Sequence, residues 1–216
     1  MTRILIVDNH PMMRKGLAQL IGQQPDMMVC GEAGDASEAL EKVRLLQPDL
    51  VLAEITLPGR NGLELIKDIQ SIEARVAVLV ISMHDESFYA ERVLRAGGRG
   101  YVMKQEGGKK ILEAIRQVSA GQIFVSEKIS ARILEIFSGR RHKAGKSAVE
   151  NLTDREFEIF QLIGQGMGTK VLAQELHIST KTIEVHRANI KAKLQIKTMA
   201  ELIRHAVRWV ESERRD

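Results

Sequence analysis

Five apolar runs constrain the fold of the front half: Ile4-Leu5-Ile6-Val7, Met28-Val29-Cys30-Gly31, Leu50-Val51-Leu52-Ala53, Ala77-Val78-Leu79-Val80-Ile81 and Gly100-Tyr101-Val102-Met103. They do not alternate apolar with polar residues, which marks strands buried on both faces of a parallel sheet. Helical periodicity fills the intervals, roughly over 11–24, 35–46, 61–70, 86–96 and 108–120. Strand and helix alternate five times. The expected fold of residues 1–121 is therefore α/β, a doubly wound five-stranded parallel sheet.

Sheets of this kind carry their chemistry at the carboxyl ends of the strands. Those ends read Asp8 and Asn9, then Glu54, then Ser82, then Lys104. Two carboxylates at one rim can hold a hard cation such as Mg²⁺. A hydroxyl and an amine can hydrogen-bond and neutralise phosphoryl-like oxygens.

The back half is of another kind. Residues 1–121 carry 15 Lys and Arg against 16 Asp and Glu, whereas residues 122–216 carry 17 against 12. A polyanion partner is expected on the basic half. Leu152-Thr153-Asp154-Arg155-Glu156 opens a helix with a capping box, Thr153 at the cap and Glu156 three residues on. Gly164 and Gly166 end it, and a second helix runs from Thr169 to Leu176. His177-Ile178-Ser179 turns the chain, Ser179 caps a third helix from Thr180 to about Leu194, and a fourth covers Thr198 to about Glu211. A short helix, a tight turn and a Lys-rich helix form the pattern that sets a recognition helix into a DNA major groove. The expectation for residues 149–216 is an all-α, four-helix, helix-turn-helix domain.

Residues 122–148 link the two halves. Gly121 to Ser126 reads as extended, Ser126 as a cap for a helix through Ile129–Phe137, and the basic, Gly-bearing stretch 138–148 as a tether. The Gly145-Lys146-Ser147 within it lacks the preceding strand and glycine spacing of a nucleotide-binding loop. Cys30 is the single cysteine, which excludes an intrachain disulfide and a thiolate-rich metal site. The start runs straight into a strand with no signal-peptide layout, and no apolar run approaches membrane-span length, so a cytoplasmic protein with no membrane partner is expected.

These motifs resemble the NarL/FixJ family of two-component response regulators. Residues 1–121 resemble its CheY-like receiver domain in Val7-Asp8-Asn9-His10-Pro11, Leu57-Pro58-Gly59-Arg60-Asn61-Gly62, Ser82 and Lys104. Leu152 to Glu156, Lys170 to Ala173, Leu176 to Ser179, Lys181 to His186, Asn189-Ile190 and Lys193-Leu194 resemble the LuxR-type DNA-binding domain. The resemblance implies a DNA-binding transcription regulator and not an enzyme. It makes Ser82 the switch hydroxyl, Lys104 the pocket lysine and Tyr101 the switch aromatic. Double-stranded DNA, a second copy in a homodimer, and a sensor kinase or other regulatory protein are the implied partners. Base edges are read around Glu184, Val185 and Ala188: Val185 suits a thymine methyl and Glu184 a cytosine amino group. Lys170, Lys181, Arg187 and Lys191 are expected on phosphates, and Thr182 on either. Glu184 departs from a frequently basic position, which bears on which bases are read. His186 is read as helix packing.

The chain departs from the receiver pattern at two places. The phospho-accepting aspartate falls on Glu54, and the second acid of the metal pair on Asn9. Asp8 and Glu54 then leave a weak Mg²⁺ site or none, with no other cofactor. The extra methylene of Glu54 carries its carboxylate toward Lys104 and Ser82, where it imitates part of a phosphorylated state. The expected regulator is phosphorylation-independent or biased to its active state. The alternatives are a receiver-based protein-interaction adaptor, and a regulator still switched by another ligand or by phosphorylation on Glu54 or Asp49.

Overall fold

β1 (Thr2–Val7) pairs in parallel with β2 (Met27–Ala33) on one side and β3 (Leu50–Ala53) on the other. β4 (Ala77–Ser82) and β5 (Gly100–Met103) extend the sheet to the order β2-β1-β3-β4-β5. The structure, a computed structural model, describes residues 1–137 and 148–215. It bears out the doubly wound parallel fold. The tether expected over 138–148 and its Gly-Lys-Ser lie outside the described residues, apart from Ala148, which opens a 3₁₀ turn to Asn151.

Between the strands run α1 (Pro11–Gly22), α2 (Ala36–Leu46), α3 (Gly62–Ile72), α4 (Glu86–Arg95) and α5 (Gly108–Ser119). Their starts are chemically set. Pro11 occupies the first turn of α1, where a missing N–H costs nothing. Asp35, Asn61 and Asp85 accept from the backbone N–H of Glu38, Glu64 and Ser87. Leu50 to Ala53 are wholly buried, as the unbroken apolar run predicts. Ile4, Ile6, Leu50, Leu52, Leu79 and Ile81 pack with Leu17 and Ile21 of α1 and Ile111, Ile115 and Val118 of α5. Full burial of each such side chain is worth about 1.5–3 kcal/mol.

After α5 the chain returns to the sheet edge. Phe124 N donates to Arg99 O, and Tyr101 N donates to Phe124 O, both at 2.9 Å. Ser126 then accepts from Ile129 N and donates to Glu86 of α4 as α6 (Glu127–Phe137) begins.

The chain divides into two compact units, Met1–Ile133 and Leu134–Asp216. The second contains α7 (Asp154–Gly164), α8 (Thr169–Glu175), α9 (Thr180–Lys193) and α10 (Met199–Arg215). The Thr153–Glu156 capping box forms in both directions. Phe157, Phe160, Leu172, Leu176, Ile183, Ile190, Leu202 and Ala206 form its core. Gly164 is a packing residue as well as a helix end: a Cβ there would stand 2.5 Å from Ala206 O, so α7 and α10 touch through it. No helix among the described residues is long and apolar enough to cross a membrane.

Candidate functional site

The carboxyl rim of the sheet brings four of the expected side chains together. Glu54 N donates to Val7 O at 2.8 Å, which fixes the residue beside Asp8. A Cβ on Gly62 would stand 2.4 Å from Glu54 O, so only glycine lets α3 start so close beneath the strand end. Ile55 N and Ser82 Oγ donate to Glu54 Oε1 at 2.7 and 2.5 Å. Lys104 Nζ lies 2.5 Å from Glu54 Oε2 and 2.5 Å from Asp8 Oδ2. Asp8 is fully buried, and Glu54 is 4 % exposed.

One ammonium is thus shared between two buried carboxylates. Burial works against the Lys104 charge, but Glu54 and Asp8 outweigh it and hold its pKa above the ordinary lysine value. Tyr101 is buried behind this cluster, and its hydroxyl donates to His84 O at 2.9 Å. Burial pushes the Tyr101 phenol well above its usual value; a hydrogen bond with Ser82 opposes the rise and the Glu54 charge adds to it.

Two residues of this rim escape a reading of strand ends. The Thr56 hydroxyl meets His84 Nε2 at 2.9 Å, and the His84 ring lies 5.3 Å from that of Tyr89. Their sequence signal is positional: each lies two residues beyond a rim residue, Glu54 or Ser82.

The arrangement does not fit the Mg²⁺ that the family resemblance implies. Lys104 and Ser82 engage the Glu54 oxygens, and Lys104 and His10 N engage those of Asp8. Asn9 Oδ1 is buried without a hydrogen-bond partner, but one neutral oxygen falls far short of an octahedral shell. Among the described residues no group of three or more His, Cys, Asp or Glu could hold an ion.

In the helical unit, Ser179 caps α9 by accepting from Thr182 N at 3.0 Å, and the two hydroxyls meet at 2.8 Å. His177, at φ 51°, makes the turn that precedes it. Ile183 and Ile190 face inward; Lys181, Glu184, Val185 and Ala188 face solvent, and Thr182 and Lys191 are half-buried. Lys170, on α8, is exposed. Arg187 does not share that face. It is only 8 % exposed, and its guanidinium donates to Thr169 Oγ1 and Glu184 Oε1. Charge alone suggested a phosphate contact; the structure turns the side chain inward because two acceptors meet it there. Lys193 pairs with the capping-box Glu156 at 2.6 Å, tying the end of α9 to the start of α7. His186 is half-buried.

The family model described as "Response regulator receiver domain" matches residues 4–116. That described as "Bacterial regulatory proteins, luxR family" matches residues 150–206. The chain is 34 % identical over 213 residues to the nitrate/nitrite response regulator protein NarL of Escherichia coli K12, covering 98 % of this chain and 95 % of that one. It is 32 % identical over 210 residues to the oxygen regulatory protein NreC of Staphylococcus haemolyticus, covering 95 % and 97 %. A LuxR-family two-component response regulator from Aurantimonas sp. SI85-9A1 superposes with TM-score 0.59 at 35 % identity, over 63 % of this chain and 98 % of that one. RcsB from Salmonella enterica serovar Typhimurium, bound to promoter rprA in the presence of phosphomimetic BeF3-, shares the fold: TM-score 0.62 at 22 % identity, over 95 % and 98 %.

Proposed function

Because the chain belongs to the NarL/FixJ family of two-component response regulators, a receiver domain joined to a LuxR-type helix-turn-helix, we propose that it regulates transcription with Glu54 acting in place of a phosphoryl group. Proteins of this architecture are DNA-binding transcription factors and not enzymes. In the proposed reading the receiver is biased to its active state without phosphorylation.

The observation that carries this reading is the contact set of Glu54. One carboxylate engages both the switch hydroxyl of Ser82 and the ammonium of Lys104, the two groups that address phosphoryl oxygens in the implied mechanism. Tyr101 is buried at the same time. The imitation is partial, since a phosphoryl group brings about −1.5 to −2 charge and a carboxylate brings one. Asp49 is a poor substitute acceptor. It is exposed at the amino end of β3, where it accepts from Arg3 N, at the far end of the strand from Lys104.

A small acyl-phosphate donor with Mg²⁺ is expected to leave the intact chain unlabelled, and to label the Glu54→Asp variant. Stoichiometric labelling of the parent chain would overturn the reading.

The output half rests on the exposed face of α9. Lys170, Lys181 and Lys191 are assigned to phosphates, Glu184, Val185 and Ala188 to base edges, and Thr182 to either. Lys191→Ala is expected to weaken DNA binding on all sequences alike. It should also flatten the dependence of log affinity on log salt by about one unit. Absence of binding at low salt would favour the adaptor reading instead. A homodimer is assigned to α10, where Ile203 stays 43 % exposed while Leu202 and Ala206 are buried; paired half-sites then add specificity.

A further inference from the structure

The DNA-facing surface of α9 carries an acid, Glu184, which phosphates would repel. Its surroundings give it a defined use. Arg187 lies one helical turn further along α9, and Thr169 is the first residue of α8. Arg187 Nη1 donates to both Thr169 Oγ1 and Glu184 Oε1, and Thr169 Oγ1 donates to Glu184 Oε1 at 3.2 Å. Three groups from two helices close a triangle on one carboxylate oxygen.

The members of this triangle differ in exposure. The Arg187 side chain is 10 % exposed and that of Glu184 60 %. The cation is therefore tucked between the helices while the carboxylate reaches solvent. Arg187 Nε is buried without a hydrogen-bond partner, so the guanidinium accepts a cost to hold this geometry. That is the arrangement of a support, not of a side chain held ready for a phosphate.

Two physical consequences follow. The adjacent guanidinium offsets the repulsion between Glu184 and the DNA backbone. Pinning Oε1 also removes rotamer freedom that a free glutamate would lose on binding. Oε2 stands outside the triangle. In the major groove, cytosine presents an amino donor, guanine two acceptors and thymine an acceptor, while adenine sets an acceptor beside its donor. A fixed carboxylate oxygen is met by the cytosine donor, repelled by guanine and thymine, and served less well by adenine, whose N7 acceptor stands beside its donor.

We propose that Thr169 and Arg187 are positioning residues that hold Glu184 to select cytosine at one position of each half-site, and that Arg187 itself contacts no phosphate. The proposal rests on the DNA-binding function assigned above.

The test selects the full-length protein against a randomised duplex pool at low salt, then titrates the enriched duplex across a salt series. Parent chain, Glu184→Gln, Thr169→Val and Arg187→Met are compared. The parent should enrich a duplex with one invariant cytosine per half-site, and Glu184→Gln should change the preferred base there. Thr169→Val, which keeps shape and loses the hydroxyl, and Arg187→Met should each weaken that single preference by at least about fivefold. The salt slope should stay unchanged in both. Loss of about one unit of slope in Arg187→Met with the base preference intact would make Arg187 a phosphate contact and overturn the proposal. So would an unaltered preference in Glu184→Gln. If the parent enriches no duplex, the DNA-binding function fails first, a result distinct from either of these.

Discussion

Replacing Lys104 with methionine is expected to destabilise the receiver by about 3–5 kcal/mol, the usual cost of stranding a buried charge. Here the cost is compounded, because Asp8 and Glu54 share the same ammonium and both are buried. Ser82 and Ile55 N would still serve Glu54, and His10 N would still serve Asp8, but none of them brings a charge. A Lys104→Met, Glu54→Leu double variant should recover part of the loss, since it removes one of the two uncompensated carboxylates and leaves Asp8.

The pH dependence has a definite sign. A lysine whose folded pKa is raised lends stability fully below its unfolded value and loses it as pH rises through the folded one. The gap between parent and variant should therefore stay level from neutral pH up to the ordinary lysine value of 10.5, and narrow only above it. Urea midpoints of the intact chain, followed through the receiver transition, measure it. Equal midpoints for parent and Lys104→Met at neutral pH would show that the ammonium is not balancing the pair.

The second large effect is on DNA. Glu54→Ala should weaken operator binding by about 5–150-fold, the span of ordinary coupling energies of 1–3 kcal/mol. The substitution removes both the acceptor for Ser82 and the second partner of Lys104. A side chain shifts a two-state equilibrium only by its difference in interaction between the states, so the effect cannot exceed what those contacts supply. Glu54→Gln keeps the shape and loses the charge, and should fall between parent and alanine. Residues 149–216 alone provide the reference for an unrestrained DNA-binding domain. If Glu54→Ala binds DNA as tightly as the parent, the carboxylate does not set the output.

Much of this was legible in the sequence where the signal is periodic. The five apolar runs located the strands, because buried parallel strands need no polar alternation. β2 extends further than its run, through Glu32 and Ala33; most of its residues are only half-buried at a sheet edge, so polar residues interrupt the pattern. The rim residues Asp8, Glu54, Ser82 and Lys104 could be gathered from strand ends alone, because a parallel sheet brings those ends together. What a linear reading misses is partnership at a distance. The edge pairing of Phe124 is a single bridge, too short to leave any repeat. The inward turn of Arg187 depends on Thr169, eighteen residues away on another helix. Nothing in the local charge pattern of α9 distinguishes Arg187 from the exposed Lys181.

If Glu54 stands in for a phosphoryl group as proposed, the carboxylate that fills the receiver pocket would also change the clock of the system. An acyl phosphate hydrolyses, so a signal stored in one expires. A glutamate side chain does not expire. With Glu54 seated on Ser82 and Lys104, the signal would last as long as the polypeptide, and the cell would lower it only by dilution through growth, by proteolysis or by making fewer copies. The quantity such a regulator reports is its own abundance.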